Sequence, residues 1–144
     1  MFSKSNLLST LVAAVWSLLG GWLLWGIVAD PILAEHLTTE GIMKETPDFM
    51  YLTIGCIIQG FILSTIYGRW GNGIYGASTG LKFGFWIGLL GGFGEGFINF
   101  ATSNMLDLQG TLINAVVYIV FYAIMGLLIG FVYQKTQGVA QSLS

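Results

Sequence analysis

The sequence predicts an all-α polytopic membrane protein, a single domain over residues 1–144 built as a bundle of four transmembrane helices with a glycine-rich central third helix. Three observations lead there. Of the 144 residues 55% are hydrophobic and only 8% charged, with a mean hydropathy of +0.78, too little polar side chain to cover a water-soluble globule of this size. The five basic and seven acidic residues leave several long stretches with one charge or none. About 20 such residues cross roughly 30 Å of hydrocarbon at about 1.5 Å per residue. The third observation is a row of six glycines, Gly76, Gly80, Gly84, Gly88, Gly92 and Gly96, at strict four-residue spacing.

The first span is predicted over 7–29, retained rather than cleaved, and ended by Asp30-Pro31 because proline cannot continue a helix interior. An outer loop, 30–48, mixes acids with Ile32, Leu33, Leu37, Ile42 and Met43; a short amphipathic surface helix and a partner-docking loop fit it equally. The second span, 49–67, closes on the turn-forming run from Gly68 to Gly73. The third, 74–100, is interrupted by Lys82 and Glu95, and the fourth, 111–133, is uncharged. Lys4, Arg69 and Lys135 fall on one side of this arrangement. Asp30, Glu35, Glu40, Glu45, Asp48 and Asp107 fall on the other with Lys44. Cytoplasmic flanks collect Lys and Arg, so both termini are expected in the cytoplasm, in a bacterial inner membrane.

In lipid no water drives helices together, and glycine lets two backbones approach where any side chain would hold them apart. The glycine row is therefore read as a packing face. Each four-residue step advances about 40° at 100° per residue, so the row winds through roughly 200°. Two neighbours are implied, or one at a right-handed crossing. The fourth helix offers Asn114, Tyr118, Tyr122, Gly126 and Gly130 at the same spacing, and the first offers Ala13, Ser17 and Gly21. Both are expected to pack on a central third helix; the alternative leaves part of the row facing another subunit.

Ionisable groups within spans are functional candidates because an unpaired charge in hydrocarbon costs several kcal/mol. Lys82 is expected to snorkel to the headgroups. Glu95, with Asn99 one turn on, Asn114 on the fourth helix and Gln59 on the second, forms a candidate polar or ion site in an outward-facing pocket, where desolvation raises a carboxyl pKa. The competing reading is a carboxyl that only fixes helix packing. His36, the single histidine, lacks a second ligand at usable spacing, and the lone Cys56 sits in an apolar run. No catalytic constellation, metal site or cofactor is expected, and a net charge of -2 without a basic cluster excludes a nucleic-acid footprint.

Leu11-Val12-Ala13-Ala14 leading to Gly20-Gly21-Trp22, with Leu112-Ile113-Asn114-Ala115 and Met125-Gly126 near the other end, resembles a family of small bacterial four-helix membrane proteins known as domain of unknown function 1761. The resemblance implies a fold and no activity. The function expected is that of a structural or accessory subunit, not an enzyme, whose partners are membrane lipid and another membrane protein or a second copy of itself. The alternative is a small transporter or channel component with Glu95 binding a proton or cation.

Overall fold

The computed structural model describes residues 2–142, with side chains described through residue 137, and is all-helical apart from its loops. The chain forms four helical rods. The first runs from α1 (Lys4–Gly21) through a π-helical segment (Trp22–Ala29) and α2 (Asp30–Leu33) to a 3-10 turn (Ala34–His36). The second is α3 (Phe49–Trp70). The third joins α4 (Ala77–Leu89), a second π segment (Leu90–Glu95) and α5 (Gly96–Thr102), and the fourth is α6 (Leu108–Ser142). Among the described residues, three helices are long and apolar enough to cross a membrane: Lys4–His36, Phe49–Trp70 and Leu108–Gln137.

The helix starts follow local chemistry. Ser3, Asp48 and Asp107 each place a side-chain oxygen on a backbone N–H of the turn that follows, satisfying donors that a helix start leaves without an intrahelical acceptor. The first rod does not stop at Asp30-Pro31 as expected. It continues to His36 because Pro31 falls in the first turn of α2, directly after the π segment, where the Asp30 N–H bonds back to the Trp25 carbonyl. That wider turn replaces the α-type bond pattern where proline's missing donor would break it. The turn at 71–73 is made by Asn72 and Gly73 with φ of 44° and 86°, the left-handed region open to glycine and tolerated by asparagine.

Helix α1 buries Ser5, Asn6, Ser9, Ala13, Ala14, Ser17 and Gly20, while Leu7, Leu11 and Leu19 point outward with 51 to 62% of their surface exposed. A water-soluble helix does the reverse. Small residues inside and leucines outside are the pattern of helices packing in lipid.

The centre of the bundle is α6, not the third rod. Phe121, Met125, Ile129 and Tyr133 of α6 are core residues, and α6 packs on α1, α3, α4 and α5. Helix α4 docks on α6, while α1 packs on α3 and α6. The expected contact of the first helix with the third therefore gives way to one with the second: a Cβ on Gly60 of α3 would lie 2.8 Å from the Thr10 carbonyl oxygen and 3.2 Å from the Ala13 Cβ, and Ser17 bonds to Gln59.

Candidate functional site

The glycine row meets one helix. A methyl group on Gly80 would overlap the Gly126 carbonyl oxygen, one on Gly84 the Tyr122 carbonyl oxygen, and those on Gly88 and Gly92 would stand 2.6 Å from the Ile119 Cα and the Ala115 carbonyl oxygen. From the other side, Gly126 and Gly130 would overlap the carbonyls of Gly80 and Gly76. Gly76 and Gly96 lie at looser contact, against Gln134 and Thr111. Gly80, Gly84 and Gly88 meet α6 from regular α4, and Gly92 does so from within a π segment, Leu90–Glu95, whose wider turn locally offsets the forward drift of a four-residue repeat.

Hydrogen bonds tie the other rods together. Asn6 donates to Thr65 Oγ1 at 2.9 Å, the Ser9 and Ser64 hydroxyls share a bond, and Tyr133 donates to the Ser64 carbonyl at 3.0 Å. Ser17 donates to Gln59 Oε1 at 3.0 Å, and Gln59 donates in turn to the Tyr122 hydroxyl. Trp16 and Trp25 donate their indole N–H groups to the Phe121 carbonyl and to Asn114 Oδ1, at 3.0 and 2.8 Å. Nothing in the sequence singled out the aromatic cluster at the basic end. There Tyr67, fully buried, donates to the Gly76 carbonyl and accepts from its N–H, and packs on Tyr75, Phe83 and Tyr133. Its members come from three rods and a turn, so no local pattern reveals it.

The acidic end of the bundle holds a pocket of about 160 Å³ between α5 and α6, lined among others by Gly96, Asn99, Ser103, Thr111, Asn114 and Tyr118. Leu106, which also lines it, sits in a loop pinned by the 36–38 stretch: Thr38 N–H donates to the Met105 carbonyl and Asp107 N–H to the His36 carbonyl, each at 3.0 Å. His36 Nδ1 lies 2.9 Å from Asp107 Oδ2. The Gly110 N–H, then the His36 ring, hold the Asp107 carboxyl below the usual carboxylate range. Within the segment 30–48, for which a surface helix or a docking loop was expected, residues 30–36 continue the first rod as α2 and the 3-10 turn, while 37–48 form no helix and pair in part with this chain's own 103–107 loop.

The four residues expected to converge do not. Asn99 and Asn114 share the pocket, with Asn114 already accepting from Trp25. Gln59 is held inside the bundle between Ser17 and Tyr122. Glu95 is exposed on the third rod and is not among the residues that line the pocket, with no hydrogen bond or ion pair among the described residues. The phase change within the π segment makes this so: Glu95 ends that segment, and its direction no longer follows from α-helical counting. The pocket thus offers neutral amide and hydroxyl groups suited to water or a small polar group, and no base beside a nucleophile. Cys56 is a buried free thiol, and no group of three or more His, Cys, Asp or Glu among the described residues is placed to hold a metal ion. No family model matches the chain, and no curated protein or solved structure matches it significantly.

Proposed function

We propose that the chain is a structural or accessory subunit of a membrane complex, meeting another membrane protein or a second copy of itself through the outward face of its third rod. In this reading it crosses a bacterial inner membrane four times with both termini cytoplasmic. The crossing additional to the three long apolar helices draws on the third rod, the unbroken run of α4, the π segment and α5, with 13, 6 and 7 residues. That is about 39 Å of helix, more than the roughly 30 Å required.

Glu95 carries the reading. It stands about 10 Å along the rod from Thr102, exposed beside the outward Ile98 and the pocket-lining Asn99. A carboxyl at that depth in lipid costs several kcal/mol. The glycine row is taken up by α6 within the chain, so it leaves no adhesive face for a neighbour; the polar outward patch does. A partner that supplies a donor to Glu95 and Asn99 relieves the cost.

The test is a photo-crosslinking residue at Ile98, 58% exposed, against one at Val15 on α1, 48% exposed, with the full chain in its membrane. A discrete adduct from position 98 and none from position 15 is expected. Glu95→Gln should lower its yield about tenfold, the effect of about 1.4 kcal/mol. No adduct from position 98, or equal adducts from both positions, overturns the reading.

A further inference from the structure

A second concavity lies at the opposite end of the third rod. A groove of about 480 Å³ is lined by Leu81, Lys82, Phe85 and Trp86 of α4 and by Ala123 of α6. Its shape follows from the glycine contacts. Gly84 brings α4 against Tyr122 and Ala123, so the bulky residues flanking it project sideways and leave a trough floored by the small Ala123. Leu81 and Phe85, and likewise Lys82 and Trp86, are four residues apart and share a face. The Phe85 and Trp86 rings meet edge to face at 5.9 Å, and Trp86 is 64% exposed.

Lys82 is the polar element of this lining. It is exposed, and no carboxylate lies within ion-pair distance among the described residues. Helical side chains tilt toward the helix N-terminus, here the end that also carries Lys4, Arg69 and Lys135. Lys82 lies about 7.5 Å into α4, a depth its long side chain covers to reach a headgroup layer. The Glu95 patch is at the far end of the rod and takes no part.

We infer that this groove binds one anionic diacyl phospholipid, its phosphate held by the Lys82 ammonium and an acyl chain lying along Leu81, Phe85 and Trp86 over Ala123. The charge decides the class of lipid. A zwitterionic headgroup carries its own ammonium, which competes with Lys82 for the phosphate, whereas a net-negative headgroup has none. An acyl chain suits a trough whose other walls are apolar.

The full chain, purified in mild detergent, is mixed with phosphatidylglycerol or phosphatidylcholine and examined by native mass spectrometry. Phosphatidylglycerol should be retained preferentially. Lys82→Gln should reduce its retention about fivefold, as expected for one basic group at a membrane surface, and Lys82→Arg should preserve it. Lys135→Gln, at the same end but stacked on Phe131 at 5.6 Å, should stay within about twofold of wild type. Equal retention of the two lipids, wild-type retention by Lys82→Gln, or equal losses for Lys82→Gln and Lys135→Gln overturn the site. So does a lipid-free dimer that Lys82→Gln dissociates, which assigns the groove to a second copy of the chain.

Discussion

A methyl group added at Gly84 runs into the Tyr122 carbonyl oxygen, whereas one added at Gly21 meets nothing within 4 Å. Two alanine substitutions are therefore expected to act in opposite directions. Gly84→Ala must push α4 off α6 and should destabilise the protein by about 1–3 kcal/mol, in the range of overpacking. Gly21→Ala, at a helical position, should stabilise it by about 0.5–1 kcal/mol by restoring helix propensity. Denaturant midpoints in detergent micelles measure both, and equal shifts would remove the distinction between packed and open glycines. Asp107 supports a second expectation. A carboxyl held below its ordinary range contributes stability that is present above its unfolded pKa and lost as pH falls through the folded value. The clip joining the 37–48 segment to the 103–107 loop should stay closed through mildly acidic pH and open only below the ordinary aspartate range. Amide exchange across 37–48, corrected for its intrinsic pH dependence, reads the opening. Asp107→Asn should abolish the step, and opening already at mildly acidic pH would assign the clip to other groups.

Among the elements, the π segment at Leu90–Glu95 sets the phase between α4, whose glycines meet α6, and the α5 turns that follow Glu95. A one-turn π segment amounts to one residue more than an α-helix needs. Removing Gly94, where an added Cβ would meet only the Leu90 side chain, at 3.6 Å, should let the segment relax to α-helix with both flanks in register, leaving the thermal midpoint within about 4 °C, under about 1 kcal/mol. Removing Trp86 from the regular α4 should rotate Gly88 and Gly92 off α6 and prevent folding. A folded Trp86 deletion, or a Gly94 deletion that fails to fold, would refute this account. The same segment marks how far the sequence could be read. The helices and the packing role of the glycine row were legible, because both rest on local composition and on what glycine does between helices in lipid. That α6 is the centre was not legible: its hydrophobicity is nearly uniform around the helix, so nothing local shows that Phe121, Met125, Ile129 and Tyr133 are buried on several neighbours. The direction of Glu95 was hidden because α-helical counting fails across a π turn. The interior places of Gln59 and Asn114 were hidden because their partners, Ser17, Tyr122 and Trp25, are distant in sequence.

At the scale of the whole molecule the charges sort by end. Near their basic ends the first rod is held beside the last, where Thr136 bonds to Ser5 at 2.6 Å, and beside the second, where Asn6 bonds to Thr65 at 2.9 Å. Lys4, Arg69 and Lys135 belong to that end, and the acid-rich 30–48 segment lies at the opposite one, joined to Asp107 through His36. Positive flanks stay in the cytoplasm because moving them across is unfavourable. Both termini should therefore react from the cytoplasmic face, with an even number of crossings between them. Cys56 is the chain's single cysteine and is buried, so replacing it with serine gives a background for single-cysteine labelling. In that background Ser3→Cys and Gln137→Cys should react with a membrane-impermeant maleimide only when the cytoplasmic face is open, and Glu45→Cys only from the opposite face. If Gln137→Cys reacts from the same face as Glu45→Cys, the number of crossings is odd. The run of α4, the π segment and α5 would then be the one that fails to cross, since its glycines, Lys82 and Glu95 leave it the least apolar of the four rods.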